Sequence, residues 1–293
     1  MSEVRGADVA EVQRTVAGPP RAGRDLPIAI GVGLALLAVV AGSLVFRKEG
    51  FILVAVAACG VALWELAHAF VRRGIHIPLL PLLVGLVGIM VSAYTSGAEA
   101  LLVAFMLTAG GVVVWRVLDG TGPAALRDAA AGTFATAYIP FMAGFVMLML
   151  AQPDGAGRVA LFVLLAVAND TGGYFAGILA GRHPLAPSVS PKKSWEGLAG
   201  SVVLAGAVGG VGASLLLGAS PVFGVLLGAA SVLTSTLGDL AESLLKRDLE
   251  LKDMGRVLPG HGGVLDRLDS MLLTAPLVHL LLLVALPASG AAA

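Results

Sequence analysis

The strongest constraint on this chain is a series of apolar runs, each about 18 or more residues long, separated by short polar breaks. A helix of that length crosses the roughly 30 Å hydrocarbon layer of a bilayer. Helices are required because lipid offers no partner for unpaired backbone groups, and the runs lack the alternating ten-residue pattern of a membrane barrel. The pattern predicts nine spans, near residues 27–46, 50–71, 76–95, 97–118, 129–150, 157–180, 196–217, 221–245 and 265–287. The predicted fold class is therefore an all-α, polytopic integral membrane protein, with residues 27–293 as one transmembrane domain.

Composition closes the alternatives. Hydrophobic residues make up 57% and charged residues 13%, against about 25% charged in soluble domains. A soluble enzyme and a disordered chain are both excluded. One cysteine, Cys59, rules out an intrachain disulfide scaffold. The net charge of zero gives no basic field for nucleic acid. Residues 1–26 are polar and aperiodic, and read as a mostly disordered tail. The first apolar run exceeds a secretory signal core and is taken as an anchor. The stretch Gly206 to Gly212 (GAVGGVG) suits close helix packing in lipid.

Orientation follows from lysine and arginine. With the N-terminus in the cytoplasm, Arg5, Arg14, Arg21, Arg24, Arg72, Arg73, Arg116, Arg127, Arg182, Lys192, Lys193, Lys246, Arg247, Lys252, Arg256 and Arg267 fall inside. Only Arg47, Lys48 and Arg158 fall outside. That skew needs an odd number of spans, and it puts every polar cluster described next on the cytoplasmic side.

The first half holds few ionisable groups at membrane depth. Glu65 and His68 share a helical face three residues apart, and read as a structural hydrogen bond between helices or as a functional pair. From Asn169 onward the density of polar groups rises. Asn169-Asp170-Thr171-Gly172-Gly173-Tyr174 breaks an apolar helix with a carboxylate beside two glycines: a ligand position, or a polar kink satisfied by its neighbours. In Ser190-Pro191-Lys192-Lys193-Ser194-Trp195-Glu196, Ser194 caps a helix start with Glu196 in its first turn. Two lysines ahead of free N–H groups make an anion site, unless they merely snorkel. Asp239, Glu242, Ser243, Lys246 and Arg247 fall at positions 0, 3, 4, 7 and 8 of a helix and form one stripe. Finally, Lys252-Asp253-Met254-Gly255 and the Pro259-Gly260-His261-Gly262-Gly263 loop lead into Asp266, Arg267 and Asp269. Carboxylates one turn apart beside cations and glycine amides suit Mg²⁺ with phosphates, because Mg²⁺ takes one or two carboxylates plus phosphate oxygens.

The string from Ser243 to Asp269 resembles the signature of the phosphatidate cytidylyltransferases, or CDP-diacylglycerol synthases. The segments NDTGGYFAG, SPKKSWEG and GDLAESLLKR precede it in the expected order, so the likeness covers about residues 165–275. Gly173 stands where that family often has alanine. The resemblance implies Mg²⁺-dependent transfer of a nucleotidyl group from CTP to phosphatidic acid, giving CDP-diacylglycerol and pyrophosphate. It further implies a homodimer in the inner (cell) membrane. Asp239 and Asp266 then become the metal ligands and, with Lys246 and Arg247, the catalytic set. Lys192, Lys193, Lys252 and Arg267 offset phosphate charge, while Ser194 and Ser243 donate hydrogen bonds. Asp170, as a ligand of a second cation such as K⁺, joins Asp253, His261, Gly262 and Gly263 in binding substrate. Two other readings stay open: a CTP-dependent transferase acting on another lipid phosphate, and an ion-coupled transporter, for which no internal repeat is visible.

Overall fold

A computed structural model of the protein describes residues 26–255, 257–258 and 262–286. The predicted tail, all but Leu26, lies outside the described residues, as do Arg256 and His261. Among the described residues, nine α-helices run in order: α1 Leu26–Phe46, α2 Gly50–Val71, α3 Leu79–Asp119, α4 Pro123–Thr136, α5 Met142–Ala151, α6 Gly155–Ala180, α7 Trp195–Leu217, α8 Pro221–Asp248 and α9 Leu265–Ala285. A π-helical turn, Ala137–Phe141, joins α4 to α5 into one continuous rod. It contains Pro140, which has no N–H to give to the preceding turn. Among the described residues, seven helical runs, from Gly50–Val71 to Leu265–Ala285, are long and apolar enough to cross a membrane.

One of these runs, α3, has 41 residues. As a straight rod it would reach about 60 Å, twice the thickness of the hydrocarbon layer. It breaks at Gly97, whose backbone (φ 83°, ψ −164°) lies outside the helical region. Gly85 packs directly onto Thr108, and Gly132 onto both Val112 and Pro78. Those pairings are nearly symmetric about Gly97, so the chain reverses there. The two arms correspond to the expected spans 76–95 and 97–118.

Between α6 and α7 the chain leaves the helical pattern. Here β1 Pro184–Ala186 pairs antiparallel with β2 Ser190–Ser194. The periodicity reading did not anticipate this hairpin: its strands are too short to show alternation. Helices α6, α7 and α8 pack with their backbones nearly in contact. A Cβ added at Gly172 would lie 2.5 Å from the Gly200 carbonyl oxygen, and one at Gly200 would lie 2.6 Å from that of Gly172. Gly209, inside the GAVGGVG run, lies against Gly224 on α8 in the same way. Small residues permit this approach, and in lipid close packing replaces the hydrophobic drive.

The three cations assigned to the outer side collect at one end of the bundle. Lys48 donates to the carbonyls of Leu150 and Gln152 at 3.3 and 3.1 Å. Arg158 reaches Asp154 at 2.7 Å and the Leu286 carbonyl at 2.9 Å. The polar clusters of α6, α8 and α9 lie toward the opposite ends of their helices.

Gly97 tests the reversal. Its conformation is essentially restricted to glycine and costs another residue about 1–3 kcal/mol. Gly97→Ala is expected to lower the thermal unfolding midpoint in detergent, although nothing lies within 4 Å of the added Cβ. Gly110→Ala, equally unobstructed but helical, should hold or raise the midpoint by the usual glycine-to-alanine gain of about 0.4–1 kcal/mol.

Candidate active site

Close packing at one end of the bundle opens a cleft of about 600 Å³ lined by α6, β2, α7, α8, the segment after α8 and α9. Each wall contributes polar groups for a local reason. On α6, the two glycines after Asp170 let α7 approach. Asn169, buried beside it, donates to Ser235 Oγ at 2.8 Å and to Asp170 Oδ1 at 3.1 Å. The Asn169 carbonyl accepts from Ser201 on α7 at 2.7 Å. The polar break in α6 is thus held by both neighbouring helices, with Asp170 left facing the cleft.

On the second wall, β2 ends in Ser194, whose Oγ accepts from the Gly197 amide at 3.1 Å and caps α7 as its sequence suggested. Glu196, in the first turn, accepts from the backbone amides of Arg182 and His183 and so ties β1 to α7. With the strand anchored at both ends, Lys192, Lys193 and Ser194 all line the cleft. Lys193 forms an ion pair with Asp239 of α8.

The third wall is the α8 stripe. Gly238 sits against the α9 backbone: a Cβ there would lie 2.7 Å from the Asp269 carbonyl oxygen. Asp239 therefore enters the same space as Asp266, Arg267 and Asp269. Ser243 and Lys246 face it too, and Glu242 is buried one turn from Asp239. The Lys246 ammonium bridges Glu242 and Asp266, the latter at 2.9 Å. Asp266 also accepts from the amides of Met254 at 3.1 Å and Gly263 at 2.9 Å.

Most of the expected residues therefore meet: Asp170, Lys192, Lys193, Ser194, Asp239, Ser243, Lys246, Asp253, Asp266 and Arg267 share one cavity. Three expectations need correction. Arg247 is exposed and lines no part of the cleft; α8 is rotated so that Lys246 points into the cleft and Arg247, one step of about 100° further on, points out of it. Lys252 instead lines a second cavity of about 630 Å³, with Trp64, His68 and Arg72, on the other side of the 251–255 segment. The Gly263 amide binds Asp266 rather than standing free for an anion, and Gly262 (φ 85°) pairs with Leu258. Among the described residues, His68 bonds within its own helix, its Nδ1 2.8 Å from the Trp64 carbonyl. Asp269, the carboxylate one helical turn from Asp266, lines the same cavity, as does Asn169. The bonds of Asn169 to Ser235 and Ser201 match the alternative of a polar segment satisfied by its neighbours.

Among the described residues, the cleft offers only oxygen as a metal donor, which suits a hard cation such as Mg²⁺. Among the described residues, no three acidic or imidazole side chains converge as a ready-made cage. That also suits Mg²⁺, which keeps water and takes phosphate oxygens beside one or two carboxylates. The excess of carboxylates over the lysines that pair with them leaves negative charge for a cation to offset.

Comparison with known proteins bears on this geometry. Residues 28–285 match the model of the cytidylyltransferase family. The chain is 41% identical over 283 residues to the phosphatidate cytidylyltransferase of Mycobacterium leprae (strain TN), covering 90% of this chain and 89% of that protein. It is 40% identical over 271 residues to the Mycobacterium tuberculosis (strain ATCC 25618 / H37Rv) protein of that name, covering 87% and 81%. The Staphylococcus aureus (strain COL) protein of that name is 30% identical over 234 residues, covering 76% and 86%.

The two ion pairs differ in burial, and so should their removal. Lys246→Met strands the Glu242 and Asp266 carboxylates, whose side chains are 0% and 6% exposed. Breaking a buried pair from one side costs about 3–5 kcal/mol, so a clear drop in thermal midpoint is expected. Lys193 and Asp239 are 29% and 23% exposed. Lys193→Ala lets water reach Asp239 and should leave the midpoint nearly unchanged.

Proposed function

The chain belongs to the cytidylyltransferase family, and from that membership and the chemistry of the cleft we propose that it transfers the cytidylyl group of CTP to phosphatidic acid. The products are CDP-diacylglycerol and pyrophosphate. The observation that carries this reading is the convergence of two lysine–carboxylate pairs, Lys193–Asp239 and Lys246–Asp266, in one cleft of a membrane-spanning bundle. Such a site handles polyphosphate, and its place in a bundle of apolar helices gives a lipid substrate access.

In the proposed reaction an oxygen of the lipid phosphate forms a bond to the α-phosphorus of CTP, and the bond from that phosphorus to the bridging oxygen of pyrophosphate breaks. No covalent enzyme intermediate is needed, so the protein contributes positioning and charge neutralisation. Lys193 and Lys246 pair with carboxylates of the cleft, and turn their ammonium groups toward phosphate oxygens when substrate arrives. Lys192 and Arg267 add charge, and the Ser194 and Ser243 hydroxyls donate to phosphate oxygens. Asp239 and Asp266 would hold a magnesium ion, which supplies Lewis-acid polarisation of the phosphoryl oxygens. The Met254 and Gly263 amides keep Asp266 aimed into the cleft. Acyl chains stay in the bilayer, since exposing each methylene to water costs about 0.8 kcal/mol. A cytoplasmic opening is supported by the lysine and arginine skew and by Lys48 and Arg158 at the far end of the bundle.

Purified protein in detergent with radiolabelled CTP and phosphatidic acid should release pyrophosphate and label the lipid only when Mg²⁺ is present. Running an ether-lipid phosphate alongside distinguishes the neighbouring activity. Asp266→Asn should insert and fold, yet lose about a hundredfold or more of turnover, because metal stabilisation is worth several kcal/mol and each tenfold about 1.4. Turnover like that of the wild type would remove Asp266 from the metal role.

A further inference from the structure

Helix α9, which carries Asp266 and Asp269, begins without a side-chain cap of its own. Val264, at its N-cap position, is apolar and already helical in backbone conformation. The first amides of a helix have no partner within it, and Leu265, the first residue of α9, is fully buried. The acceptor comes from far away in the chain: Glu65 of α2 takes the Leu265 amide on Oε2 at 2.9 Å, across 200 residues of sequence. Glu65 is 1% exposed, in an environment where an acid is rare unless something holds it.

The same carboxyl group touches both flanks of the segment that grips Asp266. A Cβ on Gly255 would overlap Glu65 Oε1, and one on Gly263 would lie 2.8 Å from both Glu65 Oε2 and Asp266 Oδ2. Met254 and Gly263, next to those contacts, are the residues whose amides hold Asp266. Glu65 and Asp266 thus share one small space, filled by two glycines and the start of α9. Glu65 itself does not line the cleft.

We infer that Glu65 is a positioning residue: it caps α9 from α2 and packs against Gly255 and Gly263, so that the Met254 and Gly263 amides hold the Asp266 carboxylate at a single aim. The functional part of this inference rests on the transferase reading, but the structural part does not. Removing the acceptor frees the Leu265 amide and loosens the Met254 and Gly263 bonds. Asp266 then samples several orientations while the bundle stays assembled. Groups that orient metal ligands typically cost 10–100-fold in affinity or activity when removed.

The test compares Glu65→Leu, Glu65→Gln and wild type by hydrogen–deuterium exchange over residues 262–268 and by Mg²⁺ titration of turnover. In Glu65→Leu, which keeps the size but not the acceptor, that segment should exchange about 10–100-fold faster, while α6 to α8 are unchanged. Half-saturating Mg²⁺ should rise, or kcat fall, by a similar factor with the KM for CTP less affected. Glu65→Gln keeps an acceptor oxygen and should restore most of both. Gly263→Ala, which forces a methyl between the two carboxylates, should reproduce the Leu signature without touching α2, and decides the matter if Glu65→Leu does not fold. Unaltered exchange in the folded Leu variant, or in Gly263→Ala, overturns the inference, as does a Gln variant as impaired as Leu. If wild type shows no transfer from CTP to phosphatidic acid, the functional reading fails, and the exchange comparison still decides the role of Glu65.

Discussion

Charge in a low-dielectric surrounding governs this protein. Acids on three neighbouring helices, Asp170, Asp239, Glu242, Asp266 and Asp269, converge at one end of a bundle that otherwise fits hydrocarbon. Ionised carboxylates that close together repel one another and lose hydration, which costs several kcal/mol per group unless cations and amides replace the water. Lys246 between Glu242 and Asp266, Lys193 on Asp239, and the backbone amides around Asp266 are that replacement. The neighbouring loops, caps and glycines can be understood as serving it.

Glycine makes the convergence geometrically possible. A Cβ at Gly172, Gly200 or Gly238 would lie within 3 Å of the facing helix, so α6, α7, α8 and α9 would have to move apart and draw the acids with them. Because lipid supplies little hydrophobic drive between helices, this backbone-level contact contributes both adhesion and register. The lysines that balance the carboxylates are held in the same contacts. Distant parts of the chain enter the same network, since α2 provides an acceptor at the start of α9.

Much of this was legible in the residues alone. The apolar runs identified the helical membrane class, and the break between residues 95 and 97 falls on Gly97, where the chain reverses. Ser194 caps α7 as its spacing suggested, and the α8 stripe brings Asp239, Ser243 and Lys246 to one face. The reading failed where side-chain direction or distant contacts decide. Arg247 belonged to the stripe by count, yet points away by one helical step. Lys252 sits in the expected segment but on its other side. The short hairpin Pro184–Ala186 with Ser190–Ser194 has too few residues to leave a periodic signal.

Hydrophobic run length and the order of polar motifs were enough to establish a helical membrane protein with its polar motifs gathered at one end, because both are local properties of the chain. Which carboxylate faces which lysine, that the Gly263 amide binds Asp266, and that Glu65 reaches Leu265 were decided only by packing. Those relations depend on how tightly glycine-lined helices approach and at what rotation, and no local stretch of residues encodes a distance between segments so far apart in the chain.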